Sequence, residues 1–268
     1  MKATAAIAVN VFRESVRDKV LYNLVAFAIL LIGASYLIGQ LTAGQDVKII
    51  KDLGLTATRV FGLFIAVFIG IGLVSKEVER RSIYSLLAKP IHRYQLVIGK
   101  YFGLVLTLAV NLSVMAFALY LVLAYMAWGV SPDAARAWDA PALDPALMVA
   151  IGLILIELML VTAVALFFST FSTPILSAAL TFGVYVVGHF TADLRRFQDV
   201  VDSPAAARIA RGLYWVLPNL ALFDVKSDVV HGRPVAAGYV AMAAAYGAIY
   251  IALLLVVAVS IFSRRDFK

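Results

Sequence analysis

The chain has 268 residues, of which 63% are hydrophobic and only 15% charged, with a net charge of +7. Soluble domains run at about half and a quarter, so this chain cannot hide its apolar surface from water and much of it must face lipid. The absence of cysteine excludes disulfides, thiolate nucleophiles and cysteine-ligated metal sites, and three scattered histidines (His92, His189, His231) argue against a histidine-built one.

In chain order, residues 5–19 place Ile7, Val9, Phe12 and Val16 on or near one helical face, with Arg13, Glu14, Arg17 and Asp18 elsewhere. That pattern suits an amphipathic helix lying in the membrane interface, although a merely charged leader would look similar. A crossing helix needs about 20 apolar residues. Six stretches qualify, at 20–41, 56–75, 96–128, 147–171, 174–191 and 235–262. The first is too long for a signal-peptide core and lacks a convincing cleavage site, so it is expected to be retained. The third and sixth are long enough to tilt or to project beyond the bilayer. The fourth and fifth meet at the turn STFSTP, where Pro174 suits a first helical turn. The expected fold is all-α, a single six-span membrane domain over residues 1–268.

Six crossings put both termini on one side. That side carries thirteen basic residues against five acidic ones, the other ten of each, and Glu157 lies within a span. Excess lysine and arginine mark the cytoplasmic face, so both termini are expected inside. Membrane topology, rather than nucleic-acid binding, then accounts for the net charge.

Between the second and third spans, SKEVERRSIYSLLAKPIHRYQ (75–95) sets Ile83, Leu86 and Leu87 at helical spacing behind a charged run, and Pro90 ends the helix. A plain solvated loop needs no such apolar tip, whereas a docking element does. The connection at 193–234 is expected outside, with a short helix in AAARIARGLYWVLPN. Ile209, Leu213 and Val216 recur there at helical spacing, and Tyr214 and Trp215 suit a membrane interface. A helix resting on the outer leaflet and an ordinary loop helix are both open readings.

Within the spans, Glu157 demands explanation, because an ionised carboxylate at the centre of a crossing helix costs roughly 2.5–3.5 kcal/mol on insertion scales. It reads as a polar point on a substrate path or a proton- or cation-responsive site. Equally, it reads as a hydrogen-bonded carboxyl holding helices together, with Asn111 or Thr107 as partner. Gly62, Ala66 and Gly70, and Gly99 and Gly103, recur at intervals of four that allow close helix packing, within the chain first and across a dimer second. GASY at 33–36, with His189, only faintly resembles an intramembrane serine protease, since Tyr36 stands where glycine is needed. NLS at 111–113 lies in a span, where no glycosylation occurs.

The stretch FGLFIAVFIGIGLVSKEVERRSIYSLLAKPIHRYQLVIGKYFG (61–103) resembles the membrane subunits of ABC-2-type exporters. Within these it is similar to the permeases grouped with the copper-maturation transporter of nitrous-oxide reductase. The residues that carry the likeness are Glu77, Glu79, Arg80, Arg81, Leu86, Leu87, Ala88, Lys89, Pro90, Arg93, Gly99 and Lys100. LPNLALFDVKSDVVHG (217–232) resembles the segment before the last span in that group. The resemblance implies a coupling helix between spans two and three that seats in a separate ATPase, with Leu86 and Leu87 as the apolar knob and the charged residues as flanks. It also implies two permeases, identical or paralogous, with two ATPases in a bacterial inner membrane, and leaves room for a periplasmic accessory protein. ATP and magnesium would be bound by the partner, since this chain has no G-x-x-x-x-G-K-[ST] loop. No cofactor, metal site or catalytic residue is expected in the chain itself. The apolar spans favour an amphipathic or lipid-like substrate. A non-transporting membrane scaffold is the alternative; a passive channel would show more polar faces along its spans.

Overall fold

A computed structural model describes residues 2–41, 46–79, 92–131, 135, 138, 140–191 and 204–264. Within them the chain forms helices α1 (Lys2–Val16), α2 (Lys19–Gln40), α3 (Asp46–Glu79), α4 (Arg93–Gly129), α5 (Ala146–Ser169), α6 (Pro174–His189), α7 (Pro204–Val216), α8 (Lys226–Val230) and α9 (Ala237–Arg264), with a 3-10 turn at Leu220–Phe223. No strand occurs among the described residues.

Five helices are long and apolar enough to cross a membrane: α2, α3 up to Ile71, α4, α5 and α9. The sixth expected span, α6, is apolar but has only 16 residues. At 1.5 Å per residue that is about 24 Å, short of a hydrocarbon core of about 30 Å. In α3 and α5, 67% of the apolar window is buried, against 22% in α2 and α9, so α3 and α5 form the centre of the bundle. Composition explains why. Helix α5 is apolar around nearly all of its surface, as a largely enclosed helix must be. Helix α4 instead buries one stripe, Tyr101, Leu104, Leu108, Leu112, Met115, Leu119 and Leu123, at steps of three or four residues.

Helix starts follow local chemistry. Asp18 breaks α1 from α2 and caps α2, its carboxylate accepting from the Val20 N–H at 2.9 Å. Pro174 opens α6, as its place in the turn requires.

Three expectations need correction. The second span does not begin at 56: α3 starts at Asp46, so residues 46–55, read as part of an outer connection, are helical. Their charges hid this from hydropathy. Lys51, for example, is fully buried yet satisfied, donating to the Pro141 carbonyl at 2.8 Å with Asp144 Oδ2 at 3.7 Å. In α1, Val9 is exposed, and the inward positions are Val11 and Ser15, with Ile7 partly buried. The connection before the last span is also more than a surface loop. Its second half packs into the bundle, with Leu220, Phe223 and Val229 fully buried.

The small-residue repeats serve packing inside the chain. A side chain at Gly62 would strike Leu158 of α5. A Cβ at Gly99 would come 2.8 Å from Ile7, and one at Gly103 2.7 Å from Val11 and 2.6 Å from the Ala8 carbonyl. The two glycines of α4 are therefore the groove in which α1 lies.

Gly103→Leu should displace α1, an overpacking cost of about 1–3 kcal/mol. Hydrogen–deuterium exchange of the reconstituted protein should show faster exchange across residues 2–16, with α3 and α5 unchanged. Unchanged protection of α1 would contradict this packing.

Candidate functional site: a charged cluster in the bundle

Glu157 sits halfway along α5 and is fully buried. Sequence reasoning offered Asn111 and Thr107 as its partners, but both are occupied within their own helix. Asn111 Nδ2 donates to the Thr107 carbonyl at 2.6 Å, and Thr107 Oγ1 to that of Gly103 at 3.0 Å. Such bonds one turn back satisfy a polar group locally, so neither residue needs the carboxylate. Asn111, predicted as a polar site residue, is thus a buried helix-local group.

The real partners come from two other elements, and one of them brings in a third. Arg59 of α3 places Nε and a terminal nitrogen each 3.0 Å from Glu157 Oε2. His189, the last residue of α6, brings Nε2 to 3.2 Å from Oε1. The other terminal nitrogen of Arg59 donates to Asp224 Oδ2 at 2.6 Å, and Asp224 lies just after the 3-10 turn. The chain of charges continues outward: Lys226 Nζ reaches Asp52 Oδ1 at 2.9 Å and donates to Thr56 Oγ1 at 3.1 Å. A cavity of about 70 Å³ opens beside the cluster, lined by Leu55, Thr56, Arg59, Ala150, Ile154 and the 223–226 segment. That volume admits water but not a drug-sized molecule.

The backbone around Asp224 is held by a stripe of tyrosines on α9. The Tyr239 hydroxyl donates to the Leu222 carbonyl at 2.7 Å, Tyr246 accepts from the Asn219 N–H at 2.8 Å, and Tyr250 donates to the Val216 carbonyl at 2.5 Å. From the other side, α6 comes close enough that a Cβ at Gly188 would meet the Pro218 carbonyl and Leu220 at 2.9 Å. Burial pushes the Asp224 carboxyl up, but the hydrogen bond and charge of Arg59, with the Lys226 N–H and ammonium, hold it below its ordinary value.

Sequence reasoning found Glu157 and missed Arg59, although Arg59 falls within the expected span 56–75. One signal was available. An arginine just inside an apolar stretch needs a counter-charge, and the carboxylate of another span is the natural candidate. His189, Asp224 and Lys226 carried no comparable signal.

Of the predicted ATPase-coupling residues, Arg80, Arg81, Leu86, Leu87, Ala88, Lys89 and Pro90 lie outside the described residues. Glu77 and Glu79 fall on the last turns of α3, where the described structure is limited to the backbone. Arg93 opens α4, and its guanidinium donates to the carbonyls of Phe262 and Ser263 at 3.4 and 3.0 Å. There it satisfies the exposed end of α9, where a cation is favoured. In α7, Ile209, Trp215 and Val216 are exposed, and Tyr214 is half-buried.

Five long apolar helices around a buried ion-paired cluster define a multi-pass α-helical membrane protein. Residues 5–267 match the family described as ABC-2 family transporter protein. The chain belongs to that family, and so is a membrane component of an ABC-type transport system. No curated protein matches it.

Arg59→Gln would take from Glu157 and Asp224 the guanidinium they share and should cost about 3–5 kcal/mol in unfolding free energy. Adding Glu157→Gln should restore more than half of that loss. Additive losses in the double variant would show that the pair is not coupled.

Asp224 gives a pH dependence with a definite sign. Because its folded value lies below the ordinary 3.8, its stabilising contribution is complete above the ordinary value and is lost as pH falls through the depressed one. The stability difference between the native protein and Asp224→Asn should therefore be constant from pH 7 to about 5 and shrink in stronger acid, as read by thermal unfolding.

Proposed function

We propose that the chain is the permease subunit of an ATP-driven ABC exporter in the bacterial inner membrane, moving its substrate outward by alternating access. The observation that carries this reading is the family match over residues 5–267. Family members normally work with an ABC ATPase, and this sequence has no phosphate-binding loop of its own. Two copies, or one copy and a paralogue, would pair with two ATPase subunits. The substrate path would then lie between permeases, in keeping with the small cavity inside one chain.

In this reading α6 crosses with α2, α3, α4, α5 and α9, giving six spans and cytoplasmic termini. The basic excess at residues 2–19, 76–100 and 264–268 supports that orientation. The segment 76–95 is the coupling element. Closure of the ATPase must reach the bundle as rigid-body movement of helices, which requires a stiff contact with an apolar knob, Leu86 and Leu87, between charged flanks. Helix α7, with its exposed Ile209, Trp215 and Val216, rests against the outer leaflet.

The likeness of residues 61–103 to the permeases grouped with the nitrous-oxide-reductase maturation transporter supports a kinship with that group. It does not make copper the cargo, because a chain without cysteine offers little to a soft metal. Its apolar spans suit an amphipathic or lipid-like substrate, and a periplasmic accessory protein would receive or pass it on.

Leu87→Asp should leave membrane insertion intact and abolish stimulation of the partner's ATP hydrolysis, along with transport. Normal transport by a Leu87→Asp protein that still co-purifies with its ATPase would overturn the coupling assignment.

A further inference from the structure

We propose that Glu157 and His189 form a binding site for one proton, carried on His189 Nε2. This proton neutralises the network that fastens the 217–226 segment into the bundle. The site follows from geometry and does not rest on the transport reading.

The hydrogen positions can be deduced. His189 Nδ1 lies 2.9 Å from the Tyr185 carbonyl oxygen one turn back, and a carbonyl only accepts, so Nδ1 carries a hydrogen. Nε2 then faces Glu157 Oε1 across 3.2 Å. Both atoms are buried, and neither makes an aligned hydrogen bond elsewhere. Without a proton between them, two acceptors would face each other out of reach of water, which is costly for both. One proton resolves the conflict. Glu157 Oε2 decides where it rides, since two nitrogens of Arg59 approach that oxygen at 3.0 Å. With the donors of Arg59 on that oxygen, the proton lies at the Nε2 side of the 3.2 Å gap to Oε1.

The surrounding charges agree. Arg59 faces the pair from α3, and Asp224 faces Arg59 from beyond the 3-10 turn. Tyr185 presents its phenol from α6 within hydrogen-bonding reach of Glu157, its ring 4.6 Å from that of His189. Lys226 and Asp52 extend the network at 2.9 Å. Three carboxylates (Asp52, Asp224, Glu157) thus meet two fixed cations (Arg59, Lys226), and a protonated His189 is the third. Arg59 opposes a second cation nearby, but Asp224 offsets it. Loss of the proton would leave an excess negative charge where α6 touches Pro218 and Leu220, and would loosen that contact.

The test uses the full-length protein in lipid nanodiscs with nitrogen-15-labelled histidine. His189→Gln identifies the His189 signal among the three histidines. At pH 7.5 an ordinary imidazole, with a pKa near 6.5, is about nine-tenths neutral; His189 should instead show both nitrogens protonated. In Glu157→Gln the same signal should become that of a neutral ring with hydrogen on Nδ1. Thermal unfolding should fall in the native protein as pH rises through release of the proton, a step absent from His189→Gln. If His189 is neutral at pH 7.5 and infrared spectra show a protonated carboxyl that Glu157→Gln removes, the placement of the proton on the ring is overturned. A neutral His189 without that band overturns the site altogether. So does a His189 that stays fully protonated in Glu157→Gln.

Discussion

Arg59 and Glu157 meet between the two most deeply buried helices of the bundle. Because neither charge could stand alone there, the pair fixes how α3 and α5 lie against each other. The contact beside it has the same effect by other means: Gly62, one turn along α3, leaves room for Leu158, the residue after Glu157. An electrostatic contact and a steric one therefore impose a single register. Sliding α3 by one turn would separate the charges and drive a larger residue against Leu158, so the centre of the bundle has one arrangement.

The same arginine links this centre to its lid. Asp224 reaches Arg59 from a segment that α9 holds with three tyrosine hydroxyls and that α6 touches through Gly188. The short helix α6 is thus built into the bundle at both ends. Pro174 opens it in a tight turn from α5, and His189 closes it on Glu157. A helix too short to span comfortably is held by polar contacts at its far end rather than by length.

What the sequence revealed and concealed follows from range. Apolar runs located α2, α4, α5 and α9, because lipid on one face and packed helices on the other both demand apolar side chains along a span. Hydropathy misplaced the start of α3, since Lys51 is buried by partners some ninety residues away in the α4–α5 connection, and no local pattern encodes them. Glu157 was legible as an anomaly because a carboxylate in an apolar helix is costly wherever it sits. Its partners were not, because they come from α3 and α6, and the arginine is shared with Asp224 further along the chain. Asn111 and Thr107 looked like partners on composition alone, and their own backbone had already satisfied them. The leucine-tipped segment at 76–95 shows the converse: its pattern is plain in the sequence, while residues 80–91 lie outside the described structure.

The first turns of α4 gather the chain in a way that affects how force would spread. Gly99 and Gly103 hold α1, and Arg93 grips the last carbonyls of α9. The opening, middle and closing helices of the polypeptide thereby share one corner, immediately after residues 76–92. A load arriving through that short stretch is not carried by a lone rod. It would be divided at once among three, because the same turns of α4 touch both α1 and the end of α9.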